Sequence, residues 1–119
     1  MKLDHIVLLA SDLDTSLPFY EQLLALIGFS KSRDHVFGNA DGIYIDLKQA
    51  GLAEHAYQRH APGLNHMGFT AESPERVNEI QSRMRQAGFE VAEIQHLGPD
   101  TALFLKDPDG MRIEITHYG

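Results

Sequence analysis

The hydrophobic and polar positions of the chain follow one pattern twice. In the first half, a β-branched and leucine-rich run at residues 3–9 has the length of a strand. An amphipathic segment follows it and ends at Gly28, a residue type that commonly terminates helices. Strands are predicted next at about 30–38, as two short ones, and at 43–48. The apolar stripe of the helix recurs at helical spacing: Leu17, Tyr20, Leu24 and Ile27.

The start of this first helix has two candidate caps. Asp12 or Asp14 can accept a hydrogen bond from the first free backbone N–H groups. Pro18 has no N–H to donate, so the pattern predicts that it lies in the first turn.

The second half repeats the order of elements. Ser73 and Pro74 are a helix cap and a first-turn proline, and Gly88 ends the helix. A Pro-Asp-Gly turn at 108–110 joins the last two strands as a hairpin. The buried stripe of the helix is predicted at Val77, Ile80, Met84 and Ala87. The three strands that follow are predicted at 91–95, 101–105 and 111–117.

Short sequence similarities support a pseudo-repeat. Residues 3–5 (LDH) return as 64–66 (LNH), and 41–46 (DGIYID) resembles 109–114 (DGMRIE). Both helices are followed by Gly-Phe. Several similarities in the same order are typical of a duplicated structural unit.

The repeat and the chain length together predict the domain organisation. At 119 residues, with 43% hydrophobic and 23% charged positions, the chain is expected to form one globular domain, 1–119. We expect it to consist of two modules, at about 1–60 and 61–119, with a linker at 50–63.

Charge and composition exclude several classes of protein. Seventeen acidic and ten basic residues give a net charge of −7, which argues against a nucleic-acid or anionic membrane partner. There is no cysteine, so a disulfide scaffold, a thiolate metal site and a cysteine nucleophile are excluded. The longest apolar run, 23–29, is too short to span a membrane. Asp4 lies where a signal peptide would be apolar, so we expect a cytoplasmic location.

Strand alternation places four chemically active side chains on the faces that do not pack against helices. Asp46 and Glu114 alternate with isoleucine and leucine neighbours that point to the helices. His66 is likewise opposite its apolar neighbours, while His5 shares its face with leucine and valine. Each module therefore offers one imidazole and one carboxylate.

Two imidazoles and one or two carboxylates that converge on a sheet can hold a divalent metal ion. The alternative is that a strand histidine is structural or exposed and that a glutamate in a terminal strand is solvated. The repetition of both residue types at equivalent positions favours the metal site. No such symmetry exists for the other five histidines, which we interpret as structural or surface residues: His35, His55, His60, His96 and His117.

Five segments resemble a known family. Residues 3–8 (LDHIVL), 19–20 and 28–29 resemble the first module of the vicinal-oxygen-chelate superfamily, which includes glyoxalase I, bleomycin- and fosfomycin-resistance proteins and extradiol dioxygenases. Residues 64–69 (LNHMGF) resemble the opening of its second module. Residues 104–114 (FLKDPDGMRIE) are similar to its closing segment, the most specific of its motifs.

The resemblance implies an α+β fold in which two paired βαβββ modules form a curved mixed sheet around a metal-binding cleft. Position by position, His5, His66 and Glu114 match the metal ligands of the family. Asp46 falls where many members have a fourth ligand, usually Glu or Gln, and is one methylene shorter. We therefore expect Asp46 to be a weak fourth ligand or a base that transfers a proton. Val7 replaces the threonine of fosfomycin-resistance members, and no basic cluster for glutathione carboxylates is found.

The implied function is that of a metal-dependent lyase or isomerase of the glyoxalase type, acting on a small oxygenated metabolite. The cofactor is a divalent metal ion, and the ligand set suits Zn, Ni, Co, Mn or Fe(II) equally. Either Asp46 or a released Glu114 could move the proton. One alternative is an extradiol-type Fe(II) dioxygenase, since two histidines and one carboxylate form its facial triad. The other is a metal-free protein that binds a drug or another small molecule.

A homodimer is also expected. Each module offers part of a sheet with open edges, which pairing would cover. The resemblance adds that small two-module members are commonly dimers, with sites built within one chain or across the interface.

Overall fold

In a computed structural model, which describes residues 1–52 and 54–119, the chain divides into two compact units, Met1–Ala56 and Tyr57–Gly119. Each unit has the order strand, helix, strand, strand, strand. The α+β class and the two βαβββ modules predicted from the sequence are thereby confirmed. No helix in these described ranges is both long and apolar enough to cross a membrane.

The first unit contains one mixed four-stranded sheet and one helix. Its elements are β1 (His5–Ala10), α1 (Leu13–Leu26), β2 (Ser30–Arg33), β3 (Val36–Gly38) and β4 (Tyr44–Gln49). The strand order is β1-β4-β3-β2, and β1 runs parallel to β4 while the other pairs are antiparallel. The first and last strands of the unit are therefore hydrogen-bonded neighbours.

The second unit has the same architecture. Its elements are β5 (His66–Thr70), α2 (Pro74–Gln86), β6 (Gln95–Leu97), β7 (Asp100–Lys106) and β8 (Arg112–His117). The order is β5-β8-β7-β6, again with the first and last strands parallel. Equivalent strands thus occupy equivalent places in the two sheets.

Helix α1 begins earlier than its proline predicts. Asp12 is the N-cap, and its side chain accepts a hydrogen bond from the backbone N–H of Asp14. Pro18 therefore lies inside the helix rather than in the first turn, so that part of the prediction is wrong. The helix tolerates Pro18 because the carbonyl that loses its donor belongs to Asp14, which is exposed to water.

The buried side of α1 is wider than the predicted stripe. Tyr20 and Leu24 are buried as expected, whereas Leu17 and Ile27 are only half-buried. Phe19 and Leu23 take their place in the core, with 3% and 0% exposure.

Helix α2 follows its sequence signals closely. Ser73 caps it, Pro74 is its first residue, and Val77, Ile80 and Met84 form its buried stripe. Ala87 is exposed instead of buried because the helix ends one residue before it.

The prediction of a strand at 91–95 is wrong, since β6 begins only at Gln95. Val91 is buried, as a strand residue would be, but its carbonyl accepts a hydrogen bond from Arg85 of α2. The carbonyl of Ala92 accepts one from Gln81 of the same helix. This segment is tied to the helix, so its backbone does not join the sheet.

Candidate functional site

In the second unit, strand pairing places two of the predicted site residues, His66 and Glu114, at diagonal positions on neighbouring strands. The parallel register of β5 and β8 places His66 opposite Arg112 and Gly68 opposite Glu114. Ile113 lies between Arg112 and Glu114 on β8. It is 1% exposed and lies on the core face. His66 and Glu114 therefore share the other face, one step apart on neighbouring strands.

The two side chains meet. Nε2 of His66 lies 3.3 Å from Oε2 of Glu114. The other oxygen of Glu114, Oε1, accepts a hydrogen bond of 2.5 Å from the hydroxyl of Thr116, which is buried. The carboxylate is thus held by one oxygen and presents the other to the imidazole. The His66 side chain is 43% exposed, so the pair is open to solvent.

The tautomer of His66 follows from the hydrogen bonds of its neighbour. Nδ2 of Asn65 donates to the carbonyl of Arg59 at 2.8 Å, which fixes the orientation of the amide. Its Oδ1 then lies 2.8 Å from Nδ1 of His66 and can only accept. We therefore assign the proton of His66 to Nδ1 from this network.

This assignment leaves a site that can accommodate a cation. With Nδ1 protonated, a neutral His66 turns the lone pair of Nε2 toward the carboxylate of Glu114. Two acceptors 3.3 Å apart repel each other unless a positive charge lies between or beside them. Either a second proton on the imidazole or a metal ion meets this need. A neutral imidazole held through its other nitrogen, beside a hydrogen-bonded carboxylate, is typical of metal ligands in proteins, so these residues fit a divalent ion.

In the first unit, His5 and Asp46 occupy the equivalent diagonal positions, but their side chains do not form an ion pair. Parallel pairing of β1 and β4 places His5 opposite Tyr44 and Val7 opposite Asp46. Nδ1 of His5 lies 2.7 Å from a carboxylate oxygen of Asp4, as Nδ1 of His66 does from Asn65. His5 thus also has Nε2 free to act as a ligand.

Asp46 has other neighbours than His5. Its two oxygens lie 3.7 Å from Nζ of Lys48 and 4.0 Å from Nδ1 of His35. No ion pair joins it to His5 among the residues that the structure describes. The side chain of Asp46 is also one methylene shorter than that of Glu114.

His35 is a residue whose position the sequence did not reveal. It adopts φ 52, in the left-handed region, at the turn between β2 and β3. Its Nδ1 and the facing Oδ1 of Asp46 are both buried without a hydrogen bond. The signal was the short polar turn 34–35, which the pairing of β3 with β4 brings beside Asp46.

Within residues 1–52 and 54–119, no group of three or more His, Asp or Glu side chains is close enough to hold a metal ion. The structure brings His66 and Glu114 together. The complete ligand set with His5 and Asp46 stays a prediction.

Comparison with known proteins agrees with this fold. The family model described as the Glyoxalase/Bleomycin resistance protein/Dioxygenase superfamily matches residues 2–115. Virulence protein STM3117 of Salmonella typhimurium is 29% identical over 124 residues, which cover 98% of this chain and 84% of that protein. The uncharacterized protein YqjT of Bacillus subtilis is 31% identical over 121 residues, which cover 93% of this chain and 94% of that protein.

Solved structures share the fold over the whole chain. A glyoxylase/bleomycin resistance protein/dioxygenase domain from Frankia matches with a TM-score of 0.82 at 23% identity, covering 100% of this chain and 93% of that one. A lactoylglutathione lyase from Agrobacterium tumefaciens matches with a TM-score of 0.70 at 19% identity, covering 98% and 92%. At these identities the likeness concerns the fold.

Proposed function

The chain belongs to the Glyoxalase/Bleomycin resistance protein/Dioxygenase superfamily, and from this premise we propose that it is a metal-dependent lyase or isomerase of the glyoxalase type. Its substrate would be a small oxygenated metabolite. The observation that best supports the proposal is the 3.3 Å approach of His66 Nε2 to Glu114 Oε2, with the other nitrogen of the imidazole held by Asn65. The membership confirms the resemblance read from the sequence.

His66 and Glu114 are proposed as two ligands of the metal. His5 is proposed as the third, because it occupies the equivalent strand position and its Nδ1 is held in the same way. This assignment rests on equivalence between the modules.

A divalent metal ion at these ligands would supply Lewis-acid polarisation of two adjacent substrate oxygens. Thr116 holds the carboxylate of Glu114 in place, and Asn65 orients the imidazole of His66. Asp46 is proposed to transfer the proton or to act as a weak fourth ligand. Its side chain is 20% exposed, and its Oδ1 accepts no hydrogen bond from the described residues.

An Fe(II) dioxygenase of the extradiol type is the second candidate within enzymes. The proposed donor set of two imidazoles and one carboxylate is the one that such oxygenases use. Iron in the purified protein, with oxygen consumed in the presence of a catechol, would favour it over the lyase.

A metal-free binding protein is the third candidate. Its support is a pair of exposed apolar side chains on one face of the first sheet, where Val7 is 44% and Leu9 64% exposed. Such a protein would bind its ligand in the absence of metal.

The deciding experiment is a metal titration. Protein treated with a chelator is titrated calorimetrically with Zn, Ni, Mn and Fe(II), and the same is done with His66→Ala. We expect saturable binding of at least one ion by the parent and affinity lower by orders of magnitude in the variant. His96→Ala, on the exposed strand β6, is the control and should bind like the parent. Equal affinity of His66→Ala and the parent would remove His66 from the metal site.

The protein is also proposed to act as a homodimer. The superfamily often forms dimers, and the exposed apolar side chains of β1 offer a surface for a second copy. A cytoplasmic location stays a prediction from the sequence.

A further inference from the structure

Three basic side chains form a row across the sheet of the second unit. The antiparallel pairing of β7 and β8 places Lys106 opposite Arg112, and the parallel pairing of β5 and β8 places Arg112 opposite His66. Paired residues point to the same face, so all three share it with Glu114, which lies in the next row. We call Lys106 and Arg112 the cation pair.

The cation pair has no counter-charge among the described residues. Throughout the part of the chain that the structure describes, the side chains of Lys106 and Arg112 make neither a hydrogen bond nor an ion pair. Like charges on directly opposite strand positions destabilise a sheet. Acidic residues outnumber basic ones by 17 to 10 in this chain, so two neighbouring basic side chains without an acidic partner are unexpected.

The carboxylate of Glu114, which shares this face of the sheet, is already engaged. Glu114 uses Oε1 to accept the hydroxyl proton of Thr116 and turns Oε2 to His66. It therefore does not neutralise Arg112, although only one residue separates them on β8.

Arg112 is held in a defined position. Its guanidinium carbon lies 5.6 Å from the ring centroid of Phe104, a favourable cation–π arrangement. Its Nε is buried and has no acceptor. A buried donor without a partner in a folded protein calls for an explanation, and an absent ligand is a common one.

We propose that Arg112 and Lys106 form a subsite for an oxyanion, which is the carboxylate or phosphate-type group of the substrate. A guanidinium presents its N–H donors in a planar fork that matches two oxygens of such a group, and an ammonium adds a third donor. The aromatic ring beneath Arg112 lowers the entropic cost of binding, because the fork is already held in place.

The subsite deepens the proposed function and rests on it for its link to catalysis. Arg112 and Glu114 are two positions apart on one strand, about 7 Å, so a small metabolite can reach both. The substrate is then an anion that presents its chelating oxygens to His66 and Glu114 and its charged end to Arg112.

The test uses chelator-treated, ¹⁵N-labelled full-length protein and needs no metal or substrate. It is titrated by NMR with acetate and with inorganic phosphate at constant ionic strength, and acetamide serves as the neutral blank. We expect saturable shifts in the backbone signals of 104–106 and 112 with at least one of the two anions and none with acetamide. The anion that binds more tightly identifies the charged group of the substrate.

Two variants separate the subsite from general electrostatics. Arg112→Gln should weaken anion binding at least tenfold, whereas Arg83→Gln should leave it unchanged. Arg83 is 53% exposed on α2, and its substitution removes the same charge from the same unit. Lys106→Gln, at an exposed position, should weaken binding about threefold and is informative even if Arg112→Gln fails to fold. Unsaturable shifts, or equal affinity in Arg112→Gln, Lys106→Gln and the parent, would overturn the proposal.

The metal titration distinguishes this inference from the proposed function. Metal binding without anion binding leaves the proposed function standing and removes the subsite. Anion binding without metal binding leaves the subsite standing and removes the proposed metal-dependent function.

Discussion

Each of the two equivalent histidines is oriented by the residue directly before it. Asp4 holds Nδ1 of His5 at 2.7 Å, and Asn65 holds Nδ1 of His66 at 2.8 Å. Asp4 and Asn65 lie just before β1 and β5, outside the strands themselves. The result is the same in both modules, since Nε2 is left free to act as a ligand. Sequence alone could show that Asx precedes each histidine, but not that its oxygen reaches the ring.

Asn65 is predicted to act as a positioning residue for His66. Asn65→Leu removes the acceptor and frees the imidazole to exchange tautomers, so metal affinity should fall by about 10- to 100-fold. Asn65→Asp keeps an acceptor, as Asp4 does in the first module, and should restore most of the affinity. Calorimetry measures the affinity, and ¹⁵N shifts of the His66 ring report the tautomer.

A purely structural role for Asn65 predicts a different result. Asn65→Leu would then lower the unfolding midpoint while the ring of His66 kept its tautomer and its metal affinity.

The two carboxylates are predicted to differ in role. Glu114→Gln should lower metal affinity first and activity as a consequence, because Glu114 is the residue in contact with His66. Asp46→Asn should leave the metal bound and cost about a hundredfold in turnover if Asp46 is the base. Both substitutions keep the shape and remove the charge, so metal titration and turnover together separate them.

The alternative is that Asp46 has no catalytic role and only pairs weakly with Lys48, whose Nζ lies 3.7 Å from Oδ2 of Asp46. In that case a metal-loaded Asp46→Asn protein turns over substrate at the full rate, and Asp46 has no part in the mechanism. Both the equivalence to Glu114 and the neighbouring lysine are visible in the sequence, and the role of Asp46 stays a prediction.

At the scale of elements, the C-terminal ends of both helices and the start of α2 were the most predictable features. Gly28 and Gly88 end α1 and α2 with φ of 92° and 94°, a region that few other residues enter. Ser73 caps α2 as its position before a proline predicts. Val91 was misleading because a buried valine is typical of strands, whereas here Arg85 binds its carbonyl. Such helix-to-backbone contacts have no periodic signature in the sequence.

The cap of α2 gives a prediction of stability. Oγ of Ser73 accepts a hydrogen bond of 3.1 Å from the backbone N–H of Arg76. Ser73→Ala removes this partner and should lower the free energy of unfolding by about 1 kcal/mol. Denaturant unfolding monitored by circular dichroism measures the change.

The matched control is Ser82→Ala, which makes the same substitution at an exposed interior position of α2. Alanine is the better helix former there, so this variant should be as stable as the parent or slightly more stable. Equal unfolding midpoints for Ser73→Ala and the parent would show that the cap contributes nothing measurable.

For the whole molecule, the repeat determined most of what could be predicted. Two runs of the same pattern gave two sheets with the same strand order, β1-β4-β3-β2 and β5-β8-β7-β6. The repeat also placed Asp46 and Glu114 at equivalent strand positions, each one diagonal step from a histidine. It could not predict the isolation of Arg112, because the lack of a counter-charge depends on every acidic side chain that could have reached it. A single sequence carries no signal for such an absence.

The first sheet gives the prediction about assembly. Leu9 is 64%, Val7 44% and Tyr44 42% exposed, and alternation places all three on the face away from α1. Apolar side chains grouped on one face are typical of a surface that another chain covers. A second copy of this chain would remove them from water beside His5.

Light scattering at micromolar concentration should therefore return about twice the chain mass of 13.3 kDa. Leu9→Glu places a charge in the proposed contact and should weaken the dimer at least tenfold, because burying an unpaired carboxylate is costly. Leu97→Glu is the control, since Leu97 is 53% exposed on the edge strand β6 of the other unit and lies outside the proposed surface. A mass near that of one chain for the parent protein contradicts the dimer. If both variants dissociate equally, the contact does not lie on β1, and the exposed apolar face is then left to the metal-free binding role.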